Sequence, residues 1–230
     1  MVGRVRPLLP LFGDTIGDKN LLEFSSRAYA LCQEWFGEPH YLPNRPYKIV
    51  AWRNVSWVIY SPIFQCFYFP VRVHQARWLS YFDIGLHMYE RFTWGMEQDK
   101  LIRRFKWFDK VMHYSTAYQI MSKLGYQGYA RDYLNYLVND APGRLTLGEF
   151  KASHIPLSRW QVFFNMFLKN IFATQRPAEY WSELAYLVLE LNELVEWSFL
   201  CKVVDCQDWS EWFSLLSTAQ AERVRALLEV

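Results

Sequence analysis

Residues 55–71 read VSWVIYSPIFQCFYFPV, a seventeen-residue run without a charge, set between Arg53 and Arg72. No other stretch restricts the fold as much. It must be buried, yet Pro62 and Pro70 prevent it from being one uninterrupted helix, because proline removes a backbone donor and clashes with the preceding turn. Val55, Trp57, Val58, Ile59 and Tyr60 favour strands, and Ser61-Pro62 would serve as a turn between strands at 55–60 and 63–69. The competing arrangement is a pair of helices broken at Pro62 and Pro70. The flanking segments are helical and an isolated hairpin is marginal, so broken helices are the expectation here and the hairpin around 48–69 is the alternative. A membrane span is not expected. Spanning helices need about 20 mainly apolar residues, and Pro62 and Gln65 spoil this run.

The flanking periodicity is clear. Leu21, Leu22, Phe24, Ala28, Leu31, Cys32, Trp35 and Phe36 recur at helical spacing, with Asp18 or Asn20 as cap, Gly37 as stop and Pro39 beyond it. Val71, Trp78, Leu79, Phe82, Leu86, Tyr89 and Phe92 trace the stripe of a second helix from Val71 to about Trp94, closed by Gly95. Asp99 begins a third, carrying Leu101, Ile102, Phe105, Phe108, Val111 and Met112 and ending at Gly125. Residues 128–138 continue in helix. Asn139-Asp140-Ala141-Pro142-Gly143 is the strongest turn cluster. Thr146 and Glu149 have capping-box spacing. Helices are expected over 157–174, from Pro177 to about Val204, after Asp208, and from Thr218 onwards. The fold class is therefore all-α: an irregular bundle of roughly eight to ten helices with short connections. Residues 1–17 form an extended arm, because Pro7 and Pro10 exclude helix, and residues 18–230 form one helical domain with a sub-boundary at 139–145.

Function is less legible. Hydrophobic residues make up 52% of the chain and aromatics 19%, against 21% charged. That excludes disorder and implies a ring-built core, ring-bearing surfaces, or both. The net charge of +2 is unevenly spread. Twelve Lys/Arg and five Asp/Glu fall between Arg45 and Lys123, while one Lys and eight Asp/Glu fall between Pro177 and Ser217. Such sections pair with each other or face different partners.

No phosphate-binding loop, dinucleotide fingerprint or nucleophile elbow occurs, so no catalytic residue and no cofactor is assigned. The chain has no E-x-x-H pair, and no metal site is assigned either. Cys32, Cys66, Cys201 and Cys206 lie in apolar segments without zinc spacing and read as buried thiols of a reducing compartment. His87 and His113 fall on neighbouring helices and would be the polar groups of a helical enzyme or an apolar-ligand pocket. Arg103, Arg104, Lys106 and Lys110 interleave with Trp107, the pattern of a nucleic-acid contact. Phe105 and Phe108 belong to the apolar stripe, leaving Trp107 and the basic residues exposed. That partner is the weaker expectation.

The favoured features are aromatic. Tyr126, Tyr129, Tyr133 and Tyr136 fall at i, i+3, i+7 and i+10. Four rings with polar tips suit a half-wet protein interface. Trp209 and Trp212 form a second candidate contact, and Leu8, Leu9, Leu11 and Phe12 on the arm a third. The chain thus reads as a non-enzymatic cytoplasmic adaptor or structural subunit, peripheral at most to a membrane-bound or particle-bound assembly, with other protein subunits as partners.

Overall fold

The computed structural model describes residues 19–52, 58–62, 65–70, 77–139, 145–153 and 178–230. Among them are ten α-helices, one 3-10 turn and one three-stranded sheet. The chain divides into two compact units that alternate along the sequence. The first takes residues up to Met96 together with Thr116–Ala130, and the second takes Glu97–Ser115 with Arg131–Val230.

In the first unit, α1 (Lys19–Phe36) is followed by β1 (Lys48–Trp52), β2 (Ile59–Ser61), β3 (Cys66–Pro70) and α2 (Arg77–Thr93). The helices were expected; the sheet replaces the broken helices anticipated around Pro62 and Pro70. β2 and β3 form the antiparallel hairpin, pairing Ile59 with Tyr68 and Ser61 with Cys66. β1 adds in parallel to the other edge of β3, from Lys48–Cys66 to Trp52–Pro70. The third strand is what makes a hairpin viable here. β3 is central, and its proline falls on the last pair, where a lost donor matters least.

Gln65 pins the turn. It takes a left-handed φ of 51°, unusual for a residue with a Cβ. Its buried side chain donates to the Pro62 carbonyl and accepts from the Tyr60 hydroxyl at 3.0 Å. Its own carbonyl accepts from the Lys48 amide at 2.8 Å, fixing the register of β1.

The core of this unit is aromatic. Phe67, fully buried, packs on Tyr47 and Tyr60 at centroid separations of 5.4 and 4.8 Å. Tyr29 and Phe36 of α1 meet Phe92 and Tyr89 of α2. Arg91 is fully buried and donates to the carbonyls of Tyr41, Leu42 and Arg45, holding the loop after α1 against α2. Gly85 lets α2 approach α4 (Lys106–Lys123) closely: a Cβ there would lie 2.8 Å from the Ala117 Cα.

In the second unit, α3 (Leu101–Arg104) precedes the first half of α4. These were expected as one helix from Asp99. Phe105 breaks it, with φ −113° and ψ 82°. No proline or glycine is responsible. The Leu101 amide donates to the Cys206 carbonyl, Lys100 Nζ donates to the Asp205 carbonyl, and the Phe105 ring sits 5.2 Å from Trp209. Tertiary contacts to residues 205–209 therefore outweigh helix continuity.

α5 (Gln127–Asn139) passes from the first unit into the second, and α6 (Leu147–Ala152) follows. The long helix from Ala178 stops at Leu194 (α7), ahead of α8 (Trp197–Leu200) and a 3-10 turn over Cys201–Val204. α9 (Trp209–Phe213) and α10 (Thr218–Leu228) complete the unit. Their core is a ring cluster in which Trp209 lies within 6.0 Å of Phe105, Trp107, Phe108, Trp212 and Phe213.

No helix of the described residues is long and apolar enough to cross a membrane.

Candidate functional site

Four short i, i+3 pairs build a cleft in the first unit. On α1, Asn20, Glu23, Phe24 and Arg27 share one helical face. α2 contributes Trp78 and Tyr81, and Tyr126, just ahead of α5, and Tyr129 in its first turn complete the lining. The cleft has a volume of about 440 Å³ and is open on one side.

Its floor is a packed trio. Phe24 stacks on Tyr81 at 4.5 Å with the planes 13° apart, and Tyr126 meets both edge-on at 5.8 and 5.1 Å. Phe24 and Tyr81 are buried and Tyr126 is half-buried. At the rim, Trp78 and Tyr129 lie nearly parallel, 10° apart with centroids 6.2 Å apart. Tyr129 remains 54% exposed. Glu23 and Arg27, one turn apart, put both signs of charge on the open edge, where both are exposed. Aromatic faces with polar tips and a charged rim combine contact area with groups that fix an orientation.

The structure sorts the residues expected from sequence. Tyr126 and Tyr129 line the cleft, whereas Tyr133 is half-buried and Tyr136 is 58% exposed farther along α5, where neither contributes to it. Trp212 has no exposed surface, and its indole N–H donates to the Phe199 carbonyl at 3.2 Å. Trp209 is half-buried in the ring cluster. This pair builds the core of the second unit. Leu8, Leu9, Leu11 and Phe12 lie outside the described residues, as do 140–143 of the turn cluster and the helix expected over 157–174.

The basic segment is reorganised. Trp107, expected at the surface, is only 5% exposed. Lys106 reaches Asp109 at 3.7 Å, and Asp109 is itself buried. Burial alone would raise the Asp109 carboxyl, but His113, Lys106, Arg103 and Lys110 together outweigh it and hold the group below the usual carboxylate range. Arg104 is exposed and donates to the Gln207 carbonyl at 3.4 Å. Of the four basic side chains, Lys106 is thus paired with a buried acid, while Arg104 stays exposed and Arg103 and Lys110 are half-buried.

His87 and His113 are each held locally. His87 Nε2 lies 2.9 Å from the Val58 carbonyl and Nδ1 lies 3.0 Å from Glu90. His113 Nδ1 lies 2.7 Å from the Asp109 carbonyl. The acids of the section from Pro177 to Ser217 differ in exposure on α7. Glu183 is buried, whereas Glu193 is exposed and pairs with Arg131 at 3.1 Å. All four cysteines are buried free thiols, and burial pushes Cys66, Cys201 and Cys206 each up to about 11. Among the described residues no three His, Cys, Asp or Glu side chains cluster as metal ligands do.

Sequence reasoning missed the α1 and α2 walls. Phe24 and Trp78 were read as core because each lies on an apolar stripe. The available signal was Glu23 and Arg27 at i, i+4, flanking Phe24 on the same face.

Searches against protein-family models, curated proteins and solved structures find no match to this chain.

Proposed function

We propose that the chain is a non-enzymatic interaction subunit that receives a segment of a partner protein in the aromatic cleft of its first unit. The observation carrying this reading is the rim pair, with Tyr129 more than half exposed while stacked on Trp78 above a floor of packed rings. Large rigid rings with few rotatable bonds give contact area at small entropic cost, and they dominate binding energy at interfaces. The rim charges of Glu23 and Arg27 would set orientation rather than affinity. Four buried free thiols are in keeping with a cytoplasmic site of action.

A small aromatic ligand is the second reading, because about 440 Å³ falls within the range of ligand clefts. The open side favours the partner segment, which can cover the rim as it binds.

The test is affinity purification from the native host, comparing the natural chain with Tyr129→Ala and with Tyr136→Ala. Loss of an exposed ring at the centre of an interface costs about 2 kcal/mol, so Tyr129→Ala should weaken capture of a stoichiometric partner by more than tenfold while Tyr136→Ala changes it little. The reading fails if the protein emerges alone and monomeric, or if Tyr129→Ala retains the partner undiminished.

A further inference from the structure

The lining of the cleft is chemically one-sided. Of its eight residues five carry aromatic rings and none is aliphatic. The Arg27 guanidinium and the hydroxyls of Tyr126 and Tyr129 can all donate hydrogen bonds, whereas Glu23 is the one carboxylate. We propose, on the partner-segment reading above, that the segment received by the cleft is proline-rich, bound as a polyproline-type helix with one basic side chain beside its prolines facing Glu23.

Hydrogen bonding separates this class from the other two shapes a peptide takes. A docked helix satisfies its own carbonyls and has no use for the donors of the lining. A docked strand brings N–H groups as well as carbonyls and needs a backbone edge to pair with, but the cleft is walled by side chains of helices. A polyproline-type backbone makes no internal hydrogen bonds, and its prolines carry no N–H, so it presents carbonyls in excess. Donors on the lining answer that excess. The rings answer the prolines, because proline-rich segments dock in aromatic-lined grooves, and Trp78 and Tyr129 hold their faces 10° from parallel at the open edge. Length agrees as well. The α1 wall from Asn20 to Arg27 is about 10 Å long, which is one turn of polyproline helix, about three residues at 3.1 Å each. Charge sets the flank. Glu23 is exposed and forms no ion pair with another described residue. A cation on the ligand complements it, while Arg27, one turn along, repels a second cation and so selects a single basic residue over a basic run.

The test titrates the full chain with the synthetic peptide RPPLPPLP by isothermal titration calorimetry. Saturable one-to-one binding is expected. Tyr129→Ala should weaken it by more than about tenfold and Tyr136→Ala should leave it unchanged, in chains whose circular dichroism matches the natural protein. The neutral peptide QPPLPPLP should bind about two- to fivefold more weakly, the worth of one exposed ion pair, and Glu23→Gln should erase that difference. Absence of saturable binding, equal binding by the folded Tyr129→Ala chain, equal binding of the proline-free peptide RAALAALA, or no preference for the arginine peptide would each overturn the assignment. If RPPLPPLP does not bind while Tyr129→Ala still loses the captured partner, the proline-rich class falls and the partner reading stands. If Tyr129→Ala retains the partner undiminished, the partner reading falls and this class falls with it.

Discussion

At the scale of single residues, two groups largely withdrawn from water decide more than their neighbours. Arg91 has no exposed surface, and its guanidinium answers three carbonyls of one loop. Removing it leaves a cavity and unpaired acceptors, so Arg91→Ala should cost roughly 2–4 kcal/mol. Urea unfolding measures this, and a loss under 1 kcal/mol would show the loop to be held otherwise. Asp83 on α2 keeps some surface, yet desolvation pushes its carboxyl up to about 7, with His87 pulling the other way. An acid raised in the folded state stabilises it where both states are protonated. That contribution is whole below the unfolded value near 4 and is lost as pH climbs through about 7. Asp83→Asn should therefore flatten the decline in stability between those limits. Equal slopes in the two proteins, by urea titration across that range, would reject the assignment.

At the scale of elements, the close approach of α2 to α4 rests on one missing side chain. Gly85→Ala forces a Cβ to within 2.8 Å of the Ala117 backbone and should cost about 1–3 kcal/mol. Gly128→Ala on α5 meets open space and should instead stabilise the protein by up to about 1 kcal/mol. Thermal melts of the two variants shifting in the same direction would contradict this account.

What was legible at this scale was whatever local chemistry determines. The capping box of Thr146 and Glu149 forms with both of its hydrogen bonds. Asp208 caps α9, and Gly37, Gly95 and Gly125 follow their helices at positive φ. What was not legible depends on distant partners. The break at Phe105 answers to Trp209 and Cys206, about a hundred residues onward, and leaves no mark in its own neighbours. The strands at 48–70 needed β1 to pair across β3 before a hairpin could outcompete helix. For the cleft, the tyrosine spacing pointed to two of its residues, but the walls from α1 and α2 exist only through packing.

At the scale of the whole molecule, every thiol is sequestered. A disulfide reagent such as Ellman's should find almost no reactive cysteine in the native protein and four after denaturation, since burial withholds both access and the thiolate. Rapid native labelling would show that one of the four is reached through local opening. The alternation of the two units along the chain has a further consequence, for synthesis. The first unit closes only with Thr116–Ala130, so α1 and α2 leave the ribosome before Ala117, Tyr126 and Tyr129, against which they pack. Until about residue 130 has emerged, the surfaces around Gly85 and Phe24 stay uncovered, and a nascent chain stalled before that point exposes apolar surface that its own later residues would bury.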